Sequence, residues 1–175
     1  MRLRPTIILT ALLAGCVHLN TDTIRFGDPE IAMIMRVANL SEVREGELAR
    51  EKAAAPAVHD FAVMMVNDHS AANSKSESAF SKVEMVSADT PQSRQLDAES
   101  GAATERLRTL AGRQFDRAYI DRQVQVHQAL IELIDTKLVP NARRKVVKEQ
   151  LAAMRTTAQE HLTKAQQIAA ALPSS

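Results

Sequence analysis

The chain has one cysteine, Cys16, in 175 residues. A single thiol cannot close an intrachain disulfide, so the fold stands without covalent cross-links. Aromatic residues are scarce, with no Trp, one Tyr and four Phe, too few for the ring platforms on which nucleobases stack. Neither sign of charge dominates: 22 Lys and Arg face 21 Asp and Glu. No basic excess is left to attract a phosphate backbone, which argues against a nucleic-acid partner. The five glycines form neither a phosphate-cradling Walker loop nor a Gly-x-Ser-x-Gly elbow. No apolar run reaches the roughly 20 residues of a membrane-spanning helix. No alternating stretch is long enough to be a strand.

What is present begins with MRLRPTIILTALLAGC. Arg2 and Arg4 precede a short apolar segment, Ile7 to Ala14, the pattern of a secretory signal peptide. Leu13-Ala14-Gly15-Cys16 resembles the bacterial lipobox, in which small residues precede the cysteine that becomes the lipidated N-terminus. Residues 1–15 are therefore expected to be a lipoprotein signal peptide, 16–27 a tether, and 28–172 a helical bundle domain. Acyl chains on Cys16 would make the membrane the chain's partner, each buried CH₂ contributing about 0.8 kcal/mol. Val17 is not the aspartate associated with inner-membrane retention, so the expected address is the outer membrane, facing the periplasm. Loss of Arg2 and Arg4 takes the charge balance to 20 against 21, a net of −1.

The rest has helical period. Asp28-Pro29 predicts a helix start, with Asp as N-cap and Pro at the first helical position. Ile31, Met35, Ala38, Glu42 and Ala49 then recur at helical steps to about Ala54. A second helix starts at Pro56 and ends near Met85, with the stripe Val58, Phe61, Ala62, Met65, His69, Ala72 and Phe80. Ser87 to Pro91 is turn chemistry, followed by a shorter amphipathic helix ending near Gly112. A third long helix runs from about Gln114 through Ile120, Gln123, His127, Leu130 and Ile134, and Pro140 is expected to close it. The fourth runs from about Ala142 to Leu172 through Val147, Leu151, Met154, Ala158, His161 and Ile168. The predicted fold class is all-α. Tight one–two and three–four turns with one long two–three connection predict a ferritin-like four-helix bundle, its crossover containing a short extra helix.

Three of the apolar stripes carry a histidine: His69, His127 and His161. Glu42 lies on the stripe of the first helix. The midpoint of 42 and 69 falls between Ala55 and Pro56, at the turn, and the midpoint of 127 and 161 is Arg144, close to the other. One carboxylate and three imidazoles are thus predicted to converge at mid-bundle. Burial of such groups is costly unless they are paired, hydrogen-bonded or metal-bound. Two readings stand: a hydrogen-bonded structural cluster, or a single transition metal ion, Zn, Cu or Fe, on Glu42, His69, His127 and His161. Asp68 and Tyr119 are candidates for supporting hydrogen bonds. A ferritin-type di-iron centre needs Glu-x-x-His on two helices. Here Val66, Val124 and Ala158 stand three residues before the histidines, which argues against it.

The segments SEVREGELAREKAAAPAVHDFAVMMVNDHSAAN, LAGRQFDRAYIDRQVQVHQ and AQEHLTKAQQI resemble the bacterial envelope family called domain of unknown function 4142. The resemblance rests on Glu42-Val43, Asp68-His69, Phe115-Asp116 with Tyr119, Val124 with His127, and His161-Leu162 with Ala165. It covers residues 28–172 and implies an exported, ferritin-like helical bundle with no established activity. Three functions follow as expectations. The first is an envelope lipoprotein with a structural or binding role, not an enzyme. The second is a lipoprotein that binds or sequesters one metal ion. The third, disfavoured by the missing Glu-x-x-His, is a ferritin-like oxidase.

Overall fold

The computed structural model describes residues 26–173. The expected signal peptide, Cys16 and residues 17–25 lie outside the described residues. All regular structure among the described residues is helical. It comprises α1 (Asp28–Lys52), α2 (Pro56–Ser81), α3 (Pro91–Arg108), α4 (Gly112–Leu133), a π-helical turn (Ile134–Leu138), α5 (Val139–Asn141) and α6 (Lys145–Ala171). α1 packs on α2 and α4 on α6, two antiparallel hairpins that meet along α2 and α6. α3 lies along α1. Its path is fixed at both ends: Ala88 N–H donates to the Pro29 carbonyl at 3.0 Å, and Lys52 Nζ donates to the Arg108 carbonyl. The crossover therefore returns the chain along the length of α1, as the long two–three connection predicts.

Two aspartates lock the hairpins to each other. Asp28 was expected to cap its own helix, but Gly27 is the cap. The Asp28 carboxylate instead accepts the Arg143 and Arg144 N–H groups at 2.8 and 2.9 Å, at the start of α6. Asp116 in α4 does the same for the start of α2, accepting the Ala54 and Ala55 N–H groups at 3.0 and 2.9 Å. Each hairpin thus supplies the acceptor that the other's helix N-terminus lacks, with the favourable charge sign for that end.

Three helix ends differ from the sequence reading. The crossover helix, expected to end near Gly112, stops at Arg108, and Gly112 opens α4. α2 stops at Ser81, and the chain leaves it through Glu84 with φ 51°. Met85 N–H reaches the Phe80 carbonyl and Glu84 N–H the Ser81 carbonyl, both at 3.0 Å. This is a Schellman closure with glutamate where glycine is usual. Pro140 does not close the third long helix. The ladder widens into the π turn, whose last N–H, on Val139, reaches the Ile134 carbonyl. The turn then passes through Pro140, which has no N–H to place. Asn141 Nδ2 donates to the Lys137 carbonyl at 2.7 Å.

The core has two apolar halves. One gathers Ile31, Ile34, Met35, Ile134, Leu138, Val147 and Leu151. The other gathers Leu48, Phe61, Met65, Phe115, Tyr119, Ile120 and Ile168. Between them runs a layer of buried polar side chains from every long helix: Asn39, Glu42 and Glu45 of α1, His69 of α2, Gln123 and His127 of α4, and His161 of α6.

Candidate metal centre

The three predicted histidines meet in this layer. Ring centroids are 5.1 Å apart for His69 and His161, 5.4 Å for His127 and His161, and 5.9 Å for His69 and His127. One ring nitrogen from each lies within 4.8 Å of the others. None of the three residues is more than 2% exposed, so water does not serve them freely.

Hydrogen bonds fix which nitrogen of each ring is free. His69 Nδ1 lies 2.9 Å from Asn39 Oδ1. His127 Nδ1 lies 2.9 Å from the Gln123 carbonyl, one turn back on its own helix. His161 Nε2 lies 3.0 Å from Asp68 Oδ2. All three partners are oxygens that only accept, so each of these nitrogens carries the proton. The lone pairs are left on His69 Nε2, His127 Nε2 and His161 Nδ1, and all three of these atoms are buried without a partner. Metal-binding histidines are characteristically held in this way, with the distal N–H on a carboxylate or carbonyl that sets tautomer and ring orientation. Burial, with His161 and His127 adding to it, holds His69 well below its usual range. His127 is pushed down to about 4, mainly by burial, with the Gln123 carbonyl opposing and His161 contributing. Both rings are therefore neutral at pH 7, the form that ligates.

Glu42 does not join them. Among the described residues no carboxylate belongs to the set of converging ligand atoms, so the four-residue cluster read from the sequence contracts to three. Glu42 is buried beside Gln123, Arg122 and Glu45, with Oε2 unpartnered. Burial and the Glu45 charge push its carboxyl up to about 8, against the pull of the Gln123 amide and Arg122. Asp68 accepts the hydrogen bond from His161 Nε2. Tyr119 makes no hydrogen bond to the histidines. It stacks on Phe115 at 6.1 Å, meets Phe61 edge-on at 6.2 Å, and leaves its hydroxyl unpartnered.

Sequence reasoning assigned no role to Asn39, to Gln123 or to the pair Glu45–Arg122. Arg122 Nε and Nη2 donate to Glu45 at 2.6 and 2.7 Å, and Ser100 Oγ donates to it at 2.8 Å. This arrangement ties α1 to α3 and α4. The available signal was spacing: Asn39, Glu42 and Glu45 follow one another at three-residue steps on the face that carries Met35 and Ala49. A groove of about 320 Å³ at the α2–α6 seam reaches the layer from the surface. Asn39 and Asp68, which hold His69 and His161, line it, with Met35, Met154 and Glu160.

A family model described as "Domain of unknown function (DUF4142)" matches residues 18–168. No curated protein matches the chain. Among solved structures, the chain is similar to the crystal structure of a protein from Streptomyces coelicolor described as a secreted DUF305 protein. The TM-score is 0.67 and the identity 14%, over 81% of this chain and 90% of that one. At that identity the likeness speaks for the fold alone.

Proposed function

Because this chain belongs to the DUF4142 family, whose description carries no activity, we propose a function from the site itself: an exported envelope lipoprotein whose bundle holds one transition metal ion on His69 Nε2, His127 Nε2 and His161 Nδ1. The observation that carries this reading is the set of three ring nitrogens, each left over after the other nitrogen of its ring is bound, converging without partners in a buried layer. A structural cluster would satisfy its members by bonding them to one another. Here each unpaired atom would cost about 1–3 kcal/mol if nothing occupied the space between them. Three imidazoles, with no thiolate or carboxylate among the converging ligand atoms, suit Zn²⁺ or a copper ion. Three ligands leave a coordination position open, as in sites that exchange a bound group. The role is one of binding or sequestering metal rather than oxidase chemistry, since no carboxylate supplies a second iron site. A surface groove lined by Asn39 and Asp68 lies beside the side chains that hold His69 and His161.

Thermal unfolding of the purified, chelator-treated chain tests this. Zn²⁺ or Cu²⁺ is expected to raise the melting temperature by an amount that grows with ion concentration, by roughly 2.7 kcal/mol in stability at a hundredfold excess over the dissociation constant. His127→Ala should lose that rise, and His59→Ala, whose ring is half exposed, should keep it. A wild-type melting temperature indifferent to both ions would return the three histidines to a packing role.

A further inference from the structure

The three histidines account for only part of the polar layer. Glu42 Oε2, Tyr119 Oη and both amide atoms of Gln123 are also buried without a partner. Tyr119, Gln123 and His127 follow one another at four-residue steps on the buried face of α4. The Gln123 carbonyl holds His127 Nδ1 at 2.9 Å, so the Gln123 side chain leaves its helix one turn from that ring. Phe61 stands edge-on to both Tyr119 and His161, at 6.2 and 6.5 Å between ring centroids. α1 brings Glu42 to the same layer, one turn after Asn39, which holds His69. The Gln123 amide is near enough to pull on the Glu42 carboxyl, yet neither group satisfies the other. One turn in the other direction along α4 and α6, Leu130 and Ala158 belong to an apolar half of the core.

On the metal reading above, which this inference rests on, we propose that the fourth position of a divalent ion takes a small monoanion, which accepts hydrogen bonds from the Gln123 amide and the Glu42 carboxyl, with the Tyr119 hydroxyl beside them. At pH 7 all three groups are donors. Burial and Glu45 raise the Glu42 carboxyl to about 8, so it keeps its proton. Burial, then Glu42 and Glu45, push the Tyr119 hydroxyl well above its usual range. Gln123 Nε2 carries two N–H groups. Charge points the same way. Zn²⁺ or Cu²⁺ on neutral imidazoles brings two positive charges into a buried layer. Glu45 and Arg122 cancel each other, and Asp68 on His161 offsets one charge of the ion. Glu99, the other acid that acts on Arg122, is exposed and screened by solvent. One positive charge remains, and a buried charge without a counter-ion is costly. A monoanion on the ion removes it, whereas a water molecule there would not. Gln123 and Tyr119 have no exposed surface, so the anion is one of few atoms, such as hydroxide or azide. In the rival arrangement Glu42 gives up its proton and supplies the charge itself.

The probe is azide, titrated into the purified, chelator-treated chain after loading with one equivalent of Cu²⁺ and followed by azide-to-copper charge-transfer absorption. Wild type is expected to develop the band to saturation, and His127→Ala to lack it. Gln123→Leu removes the amide and keeps the backbone carbonyl that holds His127. It should weaken azide by about tenfold or more, the loss expected for a hydrogen bond to a charged group. A readout without a variant stands beside it and serves even if Gln123→Leu folds poorly. In the isotope-labelled, Zn²⁺-loaded wild type, the side-chain amide resonances of Gln123 should move as azide is added. A chain that takes up neither ion overturns this proposal together with the metal reading. Uptake of the ion with no azide band, or with Gln123 amide resonances unmoved by azide, overturns this proposal alone and favours Glu42 as the counter-charge. A band undiminished in His127→Ala assigns the azide to surface copper and overturns it as well.

Discussion

Glu42 and His127 sit in one buried layer, and burial shifts their titrations in opposite directions. The Glu42 carboxyl is raised from 4.5 to about 8, first by burial and then by Glu45. The folded state therefore holds a proton that the unfolded chain gives up. The stability tied to that proton is whole below pH 4.5 and is lost as pH rises through about 8. His127 runs the other way: lowered from 6.5 to about 4 by burial, it contributes fully above pH 6.5, and the contribution is lost as pH falls through about 4. Glu42→Gln removes the first effect and leaves the second. Urea unfolding across pH 4–9 should show the variant gaining on wild type as pH rises from 4.5 to about 8. Parallel profiles for the two proteins over that window would contradict the burial of an uncompensated acid. The histidines were legible as a group because each interrupts an apolar stripe near mid-helix at a matched distance from its turn. Glu42 was assigned to them because spacing fixes height and face only to within a turn. The aim of its side chain, toward Gln123 and Arg122, depends on long-range neighbours that spacing does not reveal.

Helix pairs are governed by how closely their backbones approach. Gly46 of α1 faces α2 so tightly that a Cβ there would lie 2.9 Å from Val66 Cγ2 and 3.3 Å from the Ala62 carbonyl oxygen. Gly101, inside α3, has open space around the same position. The two alanine substitutions should therefore differ in sign. Gly101→Ala should stabilise by about 0.5–1 kcal/mol through helix propensity. Gly46→Ala should destabilise by roughly 1–3 kcal/mol, because the α1–α2 hairpin must spread. Chemical denaturation of both variants measures this, and a gain at Gly46 would mean the helices do not touch there. The elements themselves were readable where local chemistry decides: Pro29 and Pro56 stand in first turns, and the stripes of α1, α2, α4 and α6 run as their periodicity requires, whereas Pro91, read as the end of a turn, opens α3. Local reading failed at Asp28, whose carboxylate serves α6 across the bundle. It failed again at Pro140, where a widened turn carries the helix past a residue that normally ends it.

At the scale of the whole molecule, the proposed lipid anchor at Cys16 precedes a bundle with a polar middle. No helix of the described residues is long and apolar enough to cross a membrane, and the proposed attachment is lipid at Cys16. Cys16→Ser should release the protein from the membrane fraction, and mass spectrometry of the wild-type N-terminus should find acyl chains. A wild-type protein that fractionates without lipid would remove the anchor and leave the bundle's site unaffected. The fold follows from the two hairpins and the crossover, while the site follows from the layer that divides their core. That layer costs stability wherever a polar atom goes unpaired, and three of its unpaired atoms are the imidazole nitrogens that face one another. Anomalous diffraction at the zinc edge, from crystals of the chain grown with Zn²⁺, examines those atoms directly. The expected result is one strong peak between the rings, about 2.0–2.1 Å from His69 Nε2, His127 Nε2 and His161 Nδ1, with Asn39, the Gln123 carbonyl and Asp68 still on the opposite nitrogens. An empty space between the three rings, with zinc found only at surface residues such as His59, would contradict the metal centre.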